Sequence, residues 1–275
     1  MNSGQRFQGT LNYIFAHWPE YVVTYAGLIL ALIFMGISAQ QGWLGYIPLS
    51  LALVLVLFYF LLASLWAAHW QFDRSGLRPH LVLFEMARLK QTDRFVYIDL
   101  GLRRRPLGLA HHITVGHITV IDIYNPQWTP SRSLARWRTL TKPPTADPRL
   151  TWLSGNFDLL PLPDDSASAI ILCQITSELW QDGDRLTLLR EVRRILEPEG
   201  RLLIAEKVRN QTAWLTSGPG ALSVPTVSYW RSLLREAGFN IRQERSLGGL
   251  IRCFNAAKQT ASEVQQLAFN LDLGE

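Results

Sequence analysis

The spacing of apolar and polar positions divides the chain into two regimes. From Tyr21 to Phe72 there is no Asp, Glu, Lys or Arg. Two apolar runs lie inside this stretch, "YVVTYAGLILALIFMGIS" over 21–38 and "LGYIPLSLALVLVLFYFLLASLWAA" over 44–68, separated by "AQQGW". A helix needs roughly 20 apolar residues to cross a bilayer, and both runs are apolar on every face, as spans are. A cleaved signal peptide fits poorly, because its basic region would hold one arginine and a second span follows at once. The pattern predicts a transmembrane helical hairpin over 21–70, after an N-terminal cytoplasmic segment at 1–20. A linker and leading helix over 71–94 follow it.

Past residue 95 the pattern changes to short apolar runs alternating with helical spacing. "FVYID", "HITVIDI", "LTWLS", "AIILCQI" and "RLLIAE" are runs of the buried-strand type. In "DRLTLLREVRRILEPEG", Leu186, Leu189, Val192 and Ile195 recur at helical spacing, with Pro198 and Gly200 as stop signals. "VSYWRSLLREAGFN" predicts a second helix ending before Gly238, and a short helix-like segment follows the turn after "FVYID". Alternating strands and helices with continuously apolar strands imply an α/β domain with a mostly parallel sheet covered on both faces. Ligands of such sheets bind outside the carboxyl ends of the strands. "TLTKPPTADP" is a Pro-rich loop, and residues 259–275 form a C-terminal tail.

Charge adds orientation. The loop between the spans carries none, whereas Arg74, Arg78, Arg88, Lys90 and Arg94 follow the second span and Arg6 precedes the first. Both termini and the α/β domain are therefore expected on the cytoplasmic side of a prokaryotic cell membrane. Trp18, Trp43, Trp66 and Trp70 fall at the span ends, where indoles favour the headgroup layer. The net charge of +5 is modest, so nucleic acid is not an expected partner and anionic lipid is. Cys173 and Cys253 lie in apolar runs without metal-type spacing and read as small buried hydrophobes in a reducing compartment. Gly27, Gly36, Gly45 and Ser50 offer small-residue contacts to other transmembrane subunits.

The order of these segments resembles a class I S-adenosylmethionine-dependent methyltransferase, of the group that includes ubiquinone and menaquinone methyltransferases. The resemblance covers about residues 81 to 258. It rests on "LLREVRRILEPEGRLLIAE", "GNFDLLPLPDDSASAIIL", "YWRSLLREAGFN" and "GLIRCFNAAK" in that order. It implies a Rossmann-like, mostly parallel seven-stranded sheet over 95–258 and S-adenosylmethionine as cofactor. It also implies a set of cofactor residues. Asp99 ends the first strand, Gly101 is the first loop glycine, and Arg103 and Arg105 stand where the next two glycines belong. Asp122, 21 residues after Gly101, matches the acid that holds the ribose hydroxyls, for which a carboxylate offers two acceptors. Asn156 stands in place of the acid facing the adenine amine, and Phe157 is placed to lie against the adenine ring.

The arginines leave three readings open. They grip the cofactor's carboxylate, they fill the pocket of a domain that has lost its cofactor, or they face anionic lipid. After the fourth strand, "QITSE" supplies Gln174 and Ser177 toward a substrate and Glu178 as a candidate proton acceptor. Glu178 more readily reads as a solvated residue at a helix start. His111, His112 and His117 lack companions in metal-ligand spacing, so no metal is expected. Two functions are consistent with this sequence. One is a membrane-anchored methyltransferase acting on a lipophilic acceptor such as a quinone, isoprenoid or lipid. The other is an inactive methyltransferase-fold subunit docked on a membrane complex. "NQTAWLTSGPGALSVPT" is expected to help form a substrate lid.

Overall fold

The computed structural model of the protein describes residues 8–73, 78–141 and 147–259. Half of the Pro-rich loop, the tail beyond Gln259, Arg6 and Arg74 lie outside the described residues. The chain forms two compact units: a helical one of 1–78, 132–140 and 209–224, and an α/β one of 79–131, 141–208 and 225–275. Two stretches inside the expected 95–258 domain, 132–140 and 209–224, thus belong to the unit that contains the hairpin.

In the helical unit, α1 (Gln8–Ala16) precedes the hairpin of α2 (Trp18–Gln40) and α3 (Ile47–Phe72). Both long helices are long and apolar enough to cross a membrane, and little of either is covered by protein. The turn between them is built from backbone alone. Trp43 N donates to Ser38 O at 2.8 Å and Gly42, at φ +70°, takes the left-handed conformation that closes a Schellman cap. A short 3₁₀ turn, Leu44–Tyr46, then leads into α3. A polar bond links the spans, Tyr21 Oη to Ser64 Oγ at 2.9 Å. Of the small residues, Gly27 meets Leu57, whereas Gly36 and Gly45 have nothing beside them. Asp73, just past α3, accepts the amides of Gly9 and Thr10 at 2.8 and 2.9 Å, so a carboxylate caps the start of α1. Helix α6 (Arg132–Leu140) packs on α1, where Arg136 Nε donates to Ala16 O and Trp137 lies edge-on to Tyr13. Helix α8 (Gln211–Ser217) packs along α3.

The α/β unit holds the sheet. Helix α4 (Pro79–Met86) leads into β1 (Arg94–Asp99), α5 (Arg104–Ala110), β2 (His117–Asp122), β3 (Leu150–Ser154), β4 (Ala167–Cys173), α7 (Asp182–Ile195) and β5 (Leu196–Lys207). Helix α9 (Val227–Glu236), β6 (Phe239–Leu247) and β7 (Ile251–Lys258) close the unit. The strand order is β3-β2-β1-β4-β5-β7-β6, parallel from β3 through β5, with β7 antiparallel to both β5 and β6. This is the mostly parallel seven-stranded sheet expected. Ile98, Ile121, Ile170, Ile171, Leu202 and Leu203 are fully buried. Each such side chain contributes about 1.5–3 kcal/mol relative to exposure, which is why continuous apolar runs select the central strands.

Helix α7 turns Leu188, Leu189, Val192 and Ile195 into the core and ends at Ile195, short of the expected stop at Pro198 and Gly200. Tyr229 of α9 donates to Asp182 at 2.7 Å and accepts from Arg185 at 2.9 Å, pinning α9 to the start of α7. Cys173 and Cys253 are buried, and burial pushes their thiols up to about 11 and about 12, so neither is a thiolate.

Candidate functional site

The order reverses between β1 and β4, because the chain builds β1, β2 and β3 outward on one side before crossing back. Crevices at such reversals, outside the carboxyl ends of the strands, are where open α/β sheets hold ligands. Asp99 and Asp122 are register partners at the carboxyl ends of β1 and β2. Asp99 is buried, and its Oδ2 accepts the amide of Arg103 at 2.9 Å, which ties the loop after β1 into a tight turn. Burial pushes its carboxyl above the usual range, opposed by that amide and reinforced by the neighbouring Asp122 charge. Asp99 therefore shapes the loop. Asp122 is half-buried at the lip of the sheet and accepts the amide of Tyr124 at 3.1 Å.

The loop keeps a glycine-type backbone with only one glycine. Gly101 has φ +74°, and Arg103, at φ +58°, holds the left-handed conformation at the position before α5. A non-glycine residue there costs about 1–2 kcal/mol, so the turn is maintained against local preference. Arg105 does not point away from the sheet. Half-buried, its guanidinium donates to Cys173 O, at the end of β4, and to Gln174 Oε1. It therefore lies across the β1–β4 reversal. Guanidinium only donates, so the amide oxygen of Gln174 must face it. Gln174 Nε2 is left buried without an acceptor. A cation and an orphaned amide donor at one crevice form a set that a carboxylate would satisfy. On this ground the residues present fit the amino-acid end of S-adenosylmethionine.

The other expected residues are placed less directly. Phe157 is buried and lies edge-on to Trp128, with ring centroids 5.3 Å apart. Asn156 turns its Oδ1 to the amide of Phe157 at 2.9 Å, so its first acceptor position is used locally. Ser177 and Glu178 sit in the loop after β4, where Thr176–Glu178 forms a 3₁₀ turn. Ser177 lies close enough to Glu206 to favour its ionised form. Glu178 is half-buried and close enough to Glu206 to oppose its ionisation. His111 ends α5, His112 bonds Gly108 O at 3.1 Å, and His117 bonds Thr151 Oγ1 at 2.8 Å.

Glu206 was not singled out by sequence. It is the penultimate residue of β5, is fully buried, and its Oε1 accepts the amides of Ile175 and Thr176 at 3.0 and 2.9 Å. Burial pushes its carboxyl up, opposed by the nearby Ser177 and by those amides. The residue holds the loop that carries Gln174, and it is a positioning residue. Its only sequence signal is a carboxylate directly after the apolar run "LLIA".

A methyltransferase domain family matches residues 105–204 of the chain. The ubiquinone/menaquinone biosynthesis C-methyltransferase UbiE of two Caulobacter vibrioides strains is 36% identical over 94 residues, which is 33% of this chain and 36% of theirs. The chain thus spans about a third of the length of the curated relatives it matches. Among solved structures, an Aquifex aeolicus SAM-dependent methyltransferase matches 67% of this chain and 93% of its own at 19% identity, TM-score 0.50. Human N-acetylserotonin methyltransferase, solved with SAM, matches 74% of this chain and 56% of its own at 19% identity, TM-score 0.50. The [4+2]-cyclase SpnF matches 69% and 83% at 18% identity, TM-score 0.52, so this fold does not fix one reaction. Residues 105–204 thus match a methyltransferase domain family, and the seven-stranded sheet has the fold of solved SAM-dependent methyltransferases.

Proposed function

We propose that the protein is a membrane-anchored methyltransferase that transfers the methyl group of S-adenosylmethionine to a lipid-soluble acceptor of the quinone kind. The observation that carries the reading is the crevice where Arg105 and the orphaned Gln174 Nε2 meet at the end of β4, two strands from Asp122 at the end of β2. Asp122 would hold the ribose hydroxyls and Arg105 with Gln174 the amino-acid carboxylate. The sulfonium supplies an activated methyl group, so the protein's task is chiefly to place an acceptor in line and exclude water. Glu178 is the nearest candidate to take a proton from the acceptor. The likeness to UbiE supports a quinone-type acceptor, and α2 and α3 support the membrane location. Anchoring raises the effective concentration of an acceptor that itself partitions into lipid.

Titration calorimetry of the full chain in nanodiscs with S-adenosylmethionine and its demethylated product tests the cofactor site. Methyl transfer to a demethylated quinol in the same discs tests the reaction. We expect saturable binding and label in the lipid extract. Absence of binding would overturn the enzymatic reading. A second reading, an inactive membrane subunit, is favoured by one observation: arginines at 103 and 105 occupy positions that are glycine in the resembling family. It requires that neither compound binds.

A further inference from the structure

The segment between β5 and α9 carries no formal charge from Asn210 to Trp230. Its first part, 209–224, packs within the helical unit beside α3. Helix α8 descends from Asn210, whose Oδ1 caps Ala213 N at 3.0 Å. At Gly218, with φ +52°, the chain turns back through a 3₁₀ stretch, Gly218–Ser223. Arg209 closes the base by donating to Leu222 O at 3.3 Å. At the tip, the Gly218 backbone sits on the ring of Phe60, where a Cβ would come within 2.8 Å of Cε1.

Phe60 fixes the depth. It lies six and ten residues before Trp66 and Trp70 in α3. At about 1.5 Å per residue, the tip stands about 9–15 Å further along the helix than those indoles. If the indoles mark the headgroup level, that distance reaches well into the hydrocarbon, whose half-thickness is about 15 Å. The segment is composed for such a place. Trp214, Leu215 and Leu222 are exposed. Two of its hydroxyls bond within the segment, Thr216 to Thr212 O at 2.9 Å and Ser223 to Gly220 O at 2.8 Å. Internal satisfaction is what a bilayer demands of any polar group it surrounds.

We propose that residues 210–224 form a re-entrant segment that inserts into the cytoplasmic leaflet beside α3, with Trp214, Leu215 and Leu222 against lipid acyl chains. This rests on the membrane-anchored reading of α2 and α3. The segment follows β5 by three residues, so it is a membrane contact supplied by the methyltransferase half of the sequence.

The test uses the full chain in nanodiscs, with Leu215→Cys or Leu222→Cys labelled by an environment-sensitive fluorophore and challenged with nitroxide-bearing acyl chains. Leu53→Cys, exposed on α3 seven residues before Phe60, and Ser232→Cys, exposed on α9, serve as references. The expected result is loss of Leu215 and Leu222 label emission comparable to that at Leu53, with the Ser232 label unaffected. Quenching at Leu53 alone would overturn the re-entrant segment and leave the spans standing. No quenching at Leu53 would remove the membrane reading and this inference with it. Because both labelled positions are exposed, the substitutions leave the packing of α8 on Phe60 intact.

Discussion

Arg105→Gln is the most informative change in the site, because Gln keeps bulk and a donor but removes the charge. The wild-type guanidinium bonds Cys173 O and Gln174 Oε1, and Gln174 Nε2 beside it has no acceptor. If the cofactor's carboxylate completes this set, it makes a charge-assisted contact, and such hydrogen bonds are worth about 1.5–3 kcal/mol. At 1.4 kcal/mol per tenfold, the variant should bind S-adenosylmethionine about 10- to 150-fold more weakly. A stability cost is expected too, since one of two protein acceptors loses its donor, at about 1–3 kcal/mol if that acceptor stays dry. Titration calorimetry paired with thermal unfolding separates the two effects. Weaker binding by a variant that still unfolds cooperatively supports the carboxylate grip. Unchanged affinity with intact unfolding would refute the assignment. The companion Arg105→Gly discriminates further: tighter binding there would mean that the arginine occupies space the cofactor needs, and the inactive-subunit reading would gain.

Asp122→Ala should weaken cofactor binding by about 1.5–3 kcal/mol without loss of fold, since the half-buried carboxylate lies at the strand end; calorimetry with the demethylated product reads this directly. Glu206 and Asp99 have carboxyls raised by burial, so their contribution to stability is complete below the ordinary carboxylate range and is lost as pH rises through their raised values. Glu206→Gln keeps an oxygen for the amides of Ile175 and Thr176 and removes that titration; its melting temperature should fall less with rising pH than the wild type's. A melting curve with the same pH slope in both would argue against Glu206 as the source. For topology, protease added outside right-side-out vesicles should leave the α/β unit intact, and digestion there would reverse the proposed orientation.

Much of the architecture is legible in the amino-acid sequence because it rests on local periodicity. The runs expected over 21–38 and 44–68 lie in α2 and α3, the first extended at both ends and the second beginning at Ile47 and extended at its end, since charge-free apolar runs need no partner to declare themselves. Strands β1 to β5 follow from continuous apolar runs, as strands buried on both faces require. β6 has no such signature. Its "FNIRQERSL" is charged because it is an edge strand paired only to β7, and sequence implies it solely through the seven-stranded family resemblance.

What tertiary structure decided is where side chains of ambiguous meaning end up. Three arginines fall in one loop of the sequence, but only the meeting of that loop with the end of β4 directs Arg105 onto Cys173 O and Gln174. Glu206 lies 30 and 31 residues from the amides it holds, a distance over which no spacing rule operates. Residues 132–140 and 209–224 read as parts of the α/β domain, yet they pack with α1 and α3. Periodicity records which face of an element is apolar. It does not record what covers that face, because burial is non-directional and any apolar surface can satisfy it.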